Sequence, residues 1–222
     1  MILHPADNAT ERFMWLRGTR REMASIGRLT LLVAGKRSLI FDIGANCGAF
    51  TLPLAESTGP RSRIIAFEPN PVMAARLRRN LALNGLDRRV ELQEVALGAS
   101  DGNTDLWIRA RNLGFSSLHP SNYASARALH VPVRQLVNFL PPSRHSYEVF
   151  IIKCDIEGFE DQALAPFLES AAEGCLPDAI LAETTNSHCW ALDLSGLMRR
   201  RGYTSYFPGE DGNTLFLKTP KS

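Results

Sequence analysis

Two stretches of the chain combine residue types that could bind a ligand or move a proton. The first, LIFDIGANCGAFTLPL, spans residues 39–54 and places a turn with Gly44, Asn46 and Gly48 directly after Asp42. Glycines let backbone N–H groups approach a ligand closely, and a helix that starts after them adds partial positive charge. This turn therefore predicts a site for a carboxylate, a phosphate or a sugar.

The second stretch, KCDIEGFE, contains four charged side chains, at Lys153, Asp155, Glu157 and Glu160. It follows an apolar run, and the carboxyl ends of parallel strands border the ligand crevice in open α/β sheets. Asp155 is the first candidate for a general base or an acceptor-orienting group, with Lys153 to hold its charge or stabilise an alkoxide. Glu157 is a third catalytic candidate. The alternative role for Lys153 and Asp155 is a structural ion pair.

An acidic residue ends the next predicted strand. The segment IIAFEP, residues 64–69, is an apolar run that closes on Glu68. Such a carboxylate can accept hydrogen bonds from both hydroxyls of a ribose, whichever adenosine cofactor is bound. Its alternative role is that of a solvated carboxylate at a strand end. The dinucleotide fingerprint G-x-G-x-x-G fits poorly, because Gly44 and Gly48 are four residues apart and Asn46 stands between them.

Hydrophobic periodicity predicts the elements that position these residues. Residues 90–97 form a third strand, whose Val95 and Ala96 could border an adenine or simply belong to the core. Residues 109–128, with His119 and Tyr123, are polar and predict a loop that faces the substrate. The other predicted helices cover residues 20–34, 50–54, 71–84, 159–172 and 192–201, and the other strands residues 39–41, 104–108, 130–133, 147–154, 179–183, 203–207 and 214–218.

Composition restricts the class of protein. The 222 residues are 45% apolar with a net charge of +2, which suits one domain (residues 38–222) behind a helical extension (residues 1–37). The arginine clusters fall on predicted helix faces, so no nucleic-acid footprint is indicated. The four cysteines show no C-x-x-C spacing, and the sequence has neither a signal-peptide pattern nor a long apolar run. We therefore expect a soluble cytoplasmic protein with no membrane span.

The motifs together resemble a known family. IKCDIEGFE is similar to the IKxDxEGxE signature of FkbM-type S-adenosylmethionine (SAM) methyltransferases, and FDIGANCGAFT, AFEPNP, NLALNG and VALGASDG stand in that family's order. The resemblance covers about residues 39–185. It implies a Rossmann-like class I methyltransferase fold, with a mostly parallel seven-stranded sheet, helices on both faces and a C-terminal antiparallel hairpin.

The resemblance also implies an activity and a set of site residues. The activity is methylation of a hydroxyl on a small molecule such as a sugar, glycolipid or polyketide. The acceptor and the oligomeric state stay open. The residues that match the family's SAM site are Asp42, Gly44, Asn46, Gly48, Glu68, Ala96 and Asp155.

Three alternatives remain. Asp155, Glu183 and nearby Asn186 could offer oxygen ligands to Mg²⁺, with His188 unexplained, although no metal is our expectation. A nucleic-acid methyltransferase is disfavoured, because the sequence after the fourth strand is Asp155-Ile156-Glu157-Gly158 rather than Asn/Asp-Pro-Pro-aromatic. A non-catalytic SAM-binding or interaction module is the third.

Overall fold

The computed structural model describes residues 1–109, 112–118, 126–209 and 211–219. Its strands are β1 (Ser38–Ile43), β2 (Arg63–Phe67), β3 (Val90–Gln93), β4 (Ala96–Leu97), β5 (Gly102–Arg109), β6 (Asn112–Ser117), β7 (Ala126–Arg134), β8 (Val149–Cys154), β9 (Ala179–Glu183), β10 (Tyr203–Pro208) and β11 (Asn213–Lys218). Its α-helices are α1 (Ala9–Arg17), α2 (Met23–Val33), α3 (Thr51–Ser57), α4 (Pro71–Leu83), α5 (Glu160–Ser170) and α6 (Leu194–Arg200).

A seven-stranded sheet in the order β10-β11-β9-β8-β1-β2-β3 forms the centre of the fold. The pairs β8–β9, β8–β1, β1–β2 and β2–β3 are parallel, whereas β11 runs antiparallel to both β9 and β10. The predicted architecture, a mostly parallel sheet that ends in an antiparallel hairpin, is confirmed. Its carboxyl edge carries the ends of β2, β1, β8 and β9 side by side.

Helices cover both faces of this sheet because each central strand is apolar on both sides. On β1, Leu39, Phe41 and Ile43 pack into a cluster that includes the buried side chains of α5 and α6. Ile40 points to the opposite face, into a cluster with side chains of α2, α3 and α4. The two layers hold β1 and β8 rigidly beneath the loops that follow them.

A second sheet, in the order β4-β7-β5-β6, corrects two predictions. Residues 90–97 are not one strand, because after β3 the chain leaves the central sheet and β4 pairs with Val133 and Arg134 of β7. Residues 109–128 are not one irregular loop, because β6 and the start of β7 lie within them. Every residue of β6 is half-buried, so this strand lacks the alternation that would reveal it. His119 and Tyr123 lie outside the described residues.

The N-terminal segment contains two helices where one was predicted. The helix expected over residues 20–34 corresponds to α2, and α1 precedes it. Only Glu11 and Met14 of α1 are buried, so this helix has almost no apolar stripe to recognise. In the part of the chain that the structure describes, no helix combines the length and hydrophobicity needed to cross a membrane.

Candidate active site

A cavity lies at the carboxyl ends of β1, β2 and β8, where the predicted functional stretches meet. The strand order explains this meeting, since β1 pairs with β2 on one side and with β8 on the other. Of the predicted residues, those that line the cavity are Gly44, Asn46, Glu68, Val95, Ala96, Lys153, Asp155 and Glu157.

The glycine turn brings backbone to the cavity wall. Gly44 has a φ of +76°, and a Cβ added there would lie 2.0 Å from the carbonyl oxygen of Asp155, so only glycine fits. Asn46 also adopts a left-handed conformation, with a φ of 53°, which asparagine tolerates better than most residues. The turn is therefore packed directly against the segment that follows β8.

Asp42 and Gly48 lie behind the cavity rather than in its lining. The Asp42 carboxylate is fully buried, and the hydroxyl of Thr51 donates to its Oδ2 at 2.5 Å. Gly48 has a φ of +97°, and a Cβ there would meet the side chains of Leu52 and Leu77. Both residues shape the turn and join it to α3 and α4.

Glu68 connects the turn to the end of β2. Its Oε2 accepts the N–H of Asn46 at 2.8 Å, and its Oε1 accepts the N–H of Asn70 at 2.9 Å. Burial raises the pKa of Glu68 to about 7, against the opposing effect of these two N–H groups. Each carboxylate oxygen retains acceptor capacity, so Glu68 can still bind the hydroxyls of a ligand.

Lys153 forms its ion pair with Asp42, and it also lies close enough to Asp155 to stabilise the charge of that carboxylate. Its Nζ lies 3.2 Å from Asp42 Oδ1 and donates to the carbonyl oxygens of Ile43 at 3.1 Å and Gly44 at 2.7 Å. Burial lowers the pKa of Lys153, but the carboxylates of Asp42 and Asp155 together outweigh burial and raise that pKa above its ordinary value. The ammonium group is committed to the protein, which favours a positioning role.

Asp155 and Glu157 present carboxylates to the cavity. Burial raises the pKa of Asp155, although the nearby Lys153 opposes the shift. Burial and the neighbouring carboxylates of Asp155 and Glu183 raise the pKa of Glu157 to about 9. Glu157 also has a φ of 59°, a strained conformation for a residue that is neither glycine nor asparagine. Strain of this kind is concentrated at functional sites.

Glu160, in contrast, is not part of the cavity lining. Its Oε1 accepts the N–H groups of Ile156 at 2.9 Å and Gly158 at 3.3 Å, and its Oε2 accepts Trp190 Nε1 at 2.8 Å. The expectation that all four charged residues face one crevice is therefore wrong for Glu160. It holds the loop that carries Asp155 and Glu157.

Two of the residues considered as Mg²⁺ ligands, Glu183 and Asn186, are hydrogen-bonded to each other. The Nδ2 of Asn186 donates to both carboxylate oxygens of Glu183, at 3.0 and 3.2 Å, and to Glu157 at 3.3 Å. His188 is exposed in a short turn. Within the described ranges, no group of three or more His, Cys, Asp or Glu side chains is placed to hold a metal ion.

Several lining residues could not be recognised in the sequence. The apolar wall beside Val95 and Ala96 is completed by the second sheet, through Leu106, Leu113 and Leu118. The N-terminal segment adds Thr10 and Glu22. None of these residues belongs to the sequence motifs, so the motifs did not mark them as part of the cavity.

Four features together define a class I methyltransferase architecture. They are the sheet order, the glycine turn after β1, the acidic residue after β2 and the carboxylates after β8. A family model described as the methyltransferase FkbM domain matches residues 42–205. The chain belongs to this family, and the resemblance seen in the sequence is confirmed. SAM is the cofactor of the class.

Known proteins of similar sequence or structure agree with this assignment. Methyltransferase 1 of Beauveria bassiana is 29% identical over 144 residues, 57% of each chain. Methyltransferase FkbM from Methylobacillus flagellatus has a solved structure with a TM-score of 0.53 at 18% identity, covering 81% of this chain and 44% of that one. The structure of the O-methyltransferase TomG from Streptomyces achromogenes in complex with SAM has a TM-score of 0.50 at 14% sequence identity, covering 97% of this chain and 88% of that one. The chain spans 57–58% of the length of the curated relatives it matches.

Proposed function

We propose that this protein is a SAM-dependent O-methyltransferase that acts on an uncharged, hydroxylated small molecule of the sugar, glycolipid or polyketide type. One observation carries the proposal. A single cavity joins a carboxylate suited to a ribose, Glu68, to a carboxylate suited to an acceptor hydroxyl, Asp155, across the glycine turn of β1.

The residues present fit the cofactor. Glu68 offers carboxylate oxygens to the ribose hydroxyls, and the turn from Gly44 to Asn46 offers backbone without obstructing side chains. Val95, Ala96 and the leucines of the second sheet form an apolar wall suited to a flat base. A bound SAM would supply the electrophilic methyl group.

The chain's own contribution is alignment and proton removal. Methyl transfer to oxygen is an in-line displacement, so a rate gain comes from fixing the acceptor at the correct distance and angle. Asp155 is placed to accept the hydroxyl proton. Its raised pKa is closer to neutral pH than that of an ordinary aspartate, and a pKa near the working pH suits a general base. Lys153 fixes the turn relative to β8, and thereby the position of Asp155.

The charge of the cavity supports a neutral acceptor. Asp155 and Glu157 line it, and Glu183 is close enough to raise the pKa of Glu157 and to have its own pKa raised by Asp155. Lys153 is neutralised by Asp42, although Arg109 lowers the pKa of Glu157 in part. Glu157 keeps its proton at neutral pH, so the repulsion of a phosphate or carboxylate at this end comes from Asp155 and from the ionised fraction of Glu183, which disfavours nucleic acid and acidic acceptors.

The test is methyl transfer from isotopically labelled SAM to a panel of hydroxylated acceptors, with and without excess EDTA. We expect labelled product with the methyl group on oxygen, located by mass spectrometry. Asp155→Asn should lower kcat by roughly a hundredfold or more, while SAM still binds. Methylation on nitrogen or carbon, or full turnover in Asp155→Asn, would contradict the proposal. Tight SAM binding without turnover of any acceptor would favour a binding module.

A further inference from the structure

The N-terminal segment is fastened across one side of the cavity. The amide Nδ2 of Asn8 donates to Asn46 Oδ1 at 3.0 Å, and the N–H of Leu113 donates to the carbonyl of Asp7 at 2.7 Å. Arg76 of α4 forms ion pairs with Asp7 at 2.7 Å and with Glu11 at 3.2 Å. These contacts join residues before α2 to the glycine turn, to β6 and to α4.

This arrangement brings Glu22 into the cavity. Glu22 directly precedes α2 and lines the cavity together with Lys153 and Asp155. The backbone N–H of Glu22 itself stabilises its carboxylate, but the Oε2 atom is buried and makes no hydrogen bond to any residue that the structure describes. A buried carboxylate oxygen without a donor is costly, so the site is incomplete from the protein's side alone.

Lys153, the cationic residue named in the cavity lining, does not satisfy this oxygen. Lys153 is close enough to affect the titration of Glu22, but its ammonium group forms an ion pair with Asp42 and donates to the backbone carbonyls of Ile43 and Gly44. Asp155 and Asp211 are also near, and Asp211 Oδ2 is likewise buried without a hydrogen-bond donor among the described residues. The surroundings of Glu22 therefore favour a cationic ligand group.

The strand order indicates which part of the cofactor reaches this region. Glu68 follows β2, Gly44 follows β1 and Asp155 follows β8, and these strands are adjacent in that order. With its adenosine held at Glu68, SAM would extend along this edge past the glycine turn towards the end of β8. The ammonium group of its methionine part would then be placed in the part of the cavity lined by Glu22 and Asp155.

We propose that Glu22 is a further cofactor-binding residue, whose carboxylate binds the ammonium group of the methionine part of SAM. This assignment rests on the proposed use of SAM. An ammonium brings three N–H donors and a positive charge, which is what the buried, donor-free oxygen lacks. The N-terminal segment is then part of the cofactor site.

The test is calorimetric titration of wild type and Glu22→Gln with SAM, S-adenosylhomocysteine and 5′-methylthioadenosine. The third compound has the adenosine and the sulphur but no ammonium. Glutamine keeps the size of the side chain and removes its charge. We expect Kd for the first two ligands to rise roughly tenfold or more, and Kd for 5′-methylthioadenosine to stay unchanged. Glu56→Gln, an exposed carboxylate of α3, is the matched control.

Three results would overturn the assignment. Unchanged Kd values for SAM and S-adenosylhomocysteine would place Glu22 outside the cofactor site. An equal loss for all three ligands would indicate a structural role without ammonium contact. Failure of the wild-type protein to bind SAM would remove the proposed function as well, so the two failures are distinguishable.

Discussion

Lys153 Nζ lies 3.2 Å from Asp42 Oδ1 in the interior of the sheet, where both side chains are almost fully buried. The pair joins the two motifs of the sequence, because Asp42 of β1 lies opposite Lys153 of the adjacent β8. Both residues therefore act on the active site through the position of the glycine turn and of Asp155.

Replacing Asp42 by asparagine should destabilise the protein strongly. The change leaves the Lys153 ammonium buried without its counter-charge, which costs about 3–5 kcal/mol in free energy of unfolding for a buried pair. Urea denaturation followed by circular dichroism measures the loss.

A double-mutant cycle with Lys153→Met provides the internal check. The double variant should recover part of the loss of the single variants, since it leaves no unpaired buried charge. Glu94→Gln, which breaks the exposed Arg78–Glu94 pair, is the control and should cost less than about 1 kcal/mol. If Asp42→Asn and Glu94→Gln lower the free energy of unfolding by the same small amount, a structural role for Asp42 and Lys153 is contradicted.

Replacing Glu68 by glutamine should weaken SAM binding and reduce its pH dependence. The pKa of Glu68 is raised to about 7 by burial, and its ionised form accepts ribose hydroxyls better. Affinity in the wild type should therefore increase by up to about tenfold as pH rises from 6 to 8, and level off above pH 8. Calorimetry at pH 6, 7 and 8 tests this, with Glu56→Gln as control.

The pH profile decides the outcome. Glu68→Gln should raise Kd by roughly tenfold or more at pH 8 and show a flatter profile than the wild type. An identical profile in both proteins would assign the pH dependence to another group.

Replacing Glu157 by glutamine should stabilise the protein at alkaline pH. Burial raises the pKa of Glu157 to about 9, so the native carboxyl keeps a proton that the unfolded chain has released above pH 5. The wild type therefore loses stability as pH rises from about 5 to 9. The variant has no such group. Between pH 5 and pH 8 its free energy of unfolding should therefore rise by more than about 1 kcal/mol relative to that of the wild type.

Chemical denaturation at several pH values measures this difference. In Glu169→Gln, which changes an exposed carboxylate of α5, stability should change with pH in the same way as in the wild type. If the stability of Glu157→Gln also follows the wild-type pH dependence, Glu157 is ionised in the native protein without cost.

Replacing Asn8 by alanine should loosen the N-terminal segment. The Asn8 side chain caps α1, accepting the N–H of Glu11 at 3.0 Å, and also donates to Asn46. Loss of the cap costs about 1–2 kcal/mol, and hydrogen exchange over residues 2–22 should accelerate. Asn103→Ala, an exposed position of β5, is the control and should leave that exchange unchanged. Unaltered exchange in Asn8→Ala would mean that other contacts hold the segment.

The sequence by itself determined the central sheet and the location of the site. Buried parallel strands such as β1 and β8 are apolar runs of characteristic length, and the turn after β1 needs glycine at Gly44 for its backbone conformation. These are local requirements, so they leave a local pattern. Glu68 and Asp155 could be identified because each directly follows such a strand.

Only the tertiary structure decided how these residues interact. The pairing of Lys153 with Asp42 and the use of Glu160 as a loop acceptor depend on side-chain directions that spacing does not fix. The half-buried β6 and the nearly stripe-free α1 carry no periodic signal, so the sequence did not reveal the contributions of Leu113 and Thr10 to the cavity. A cavity wall built from distant segments is defined by packing, and packing follows from the whole chain rather than from any one stretch of it.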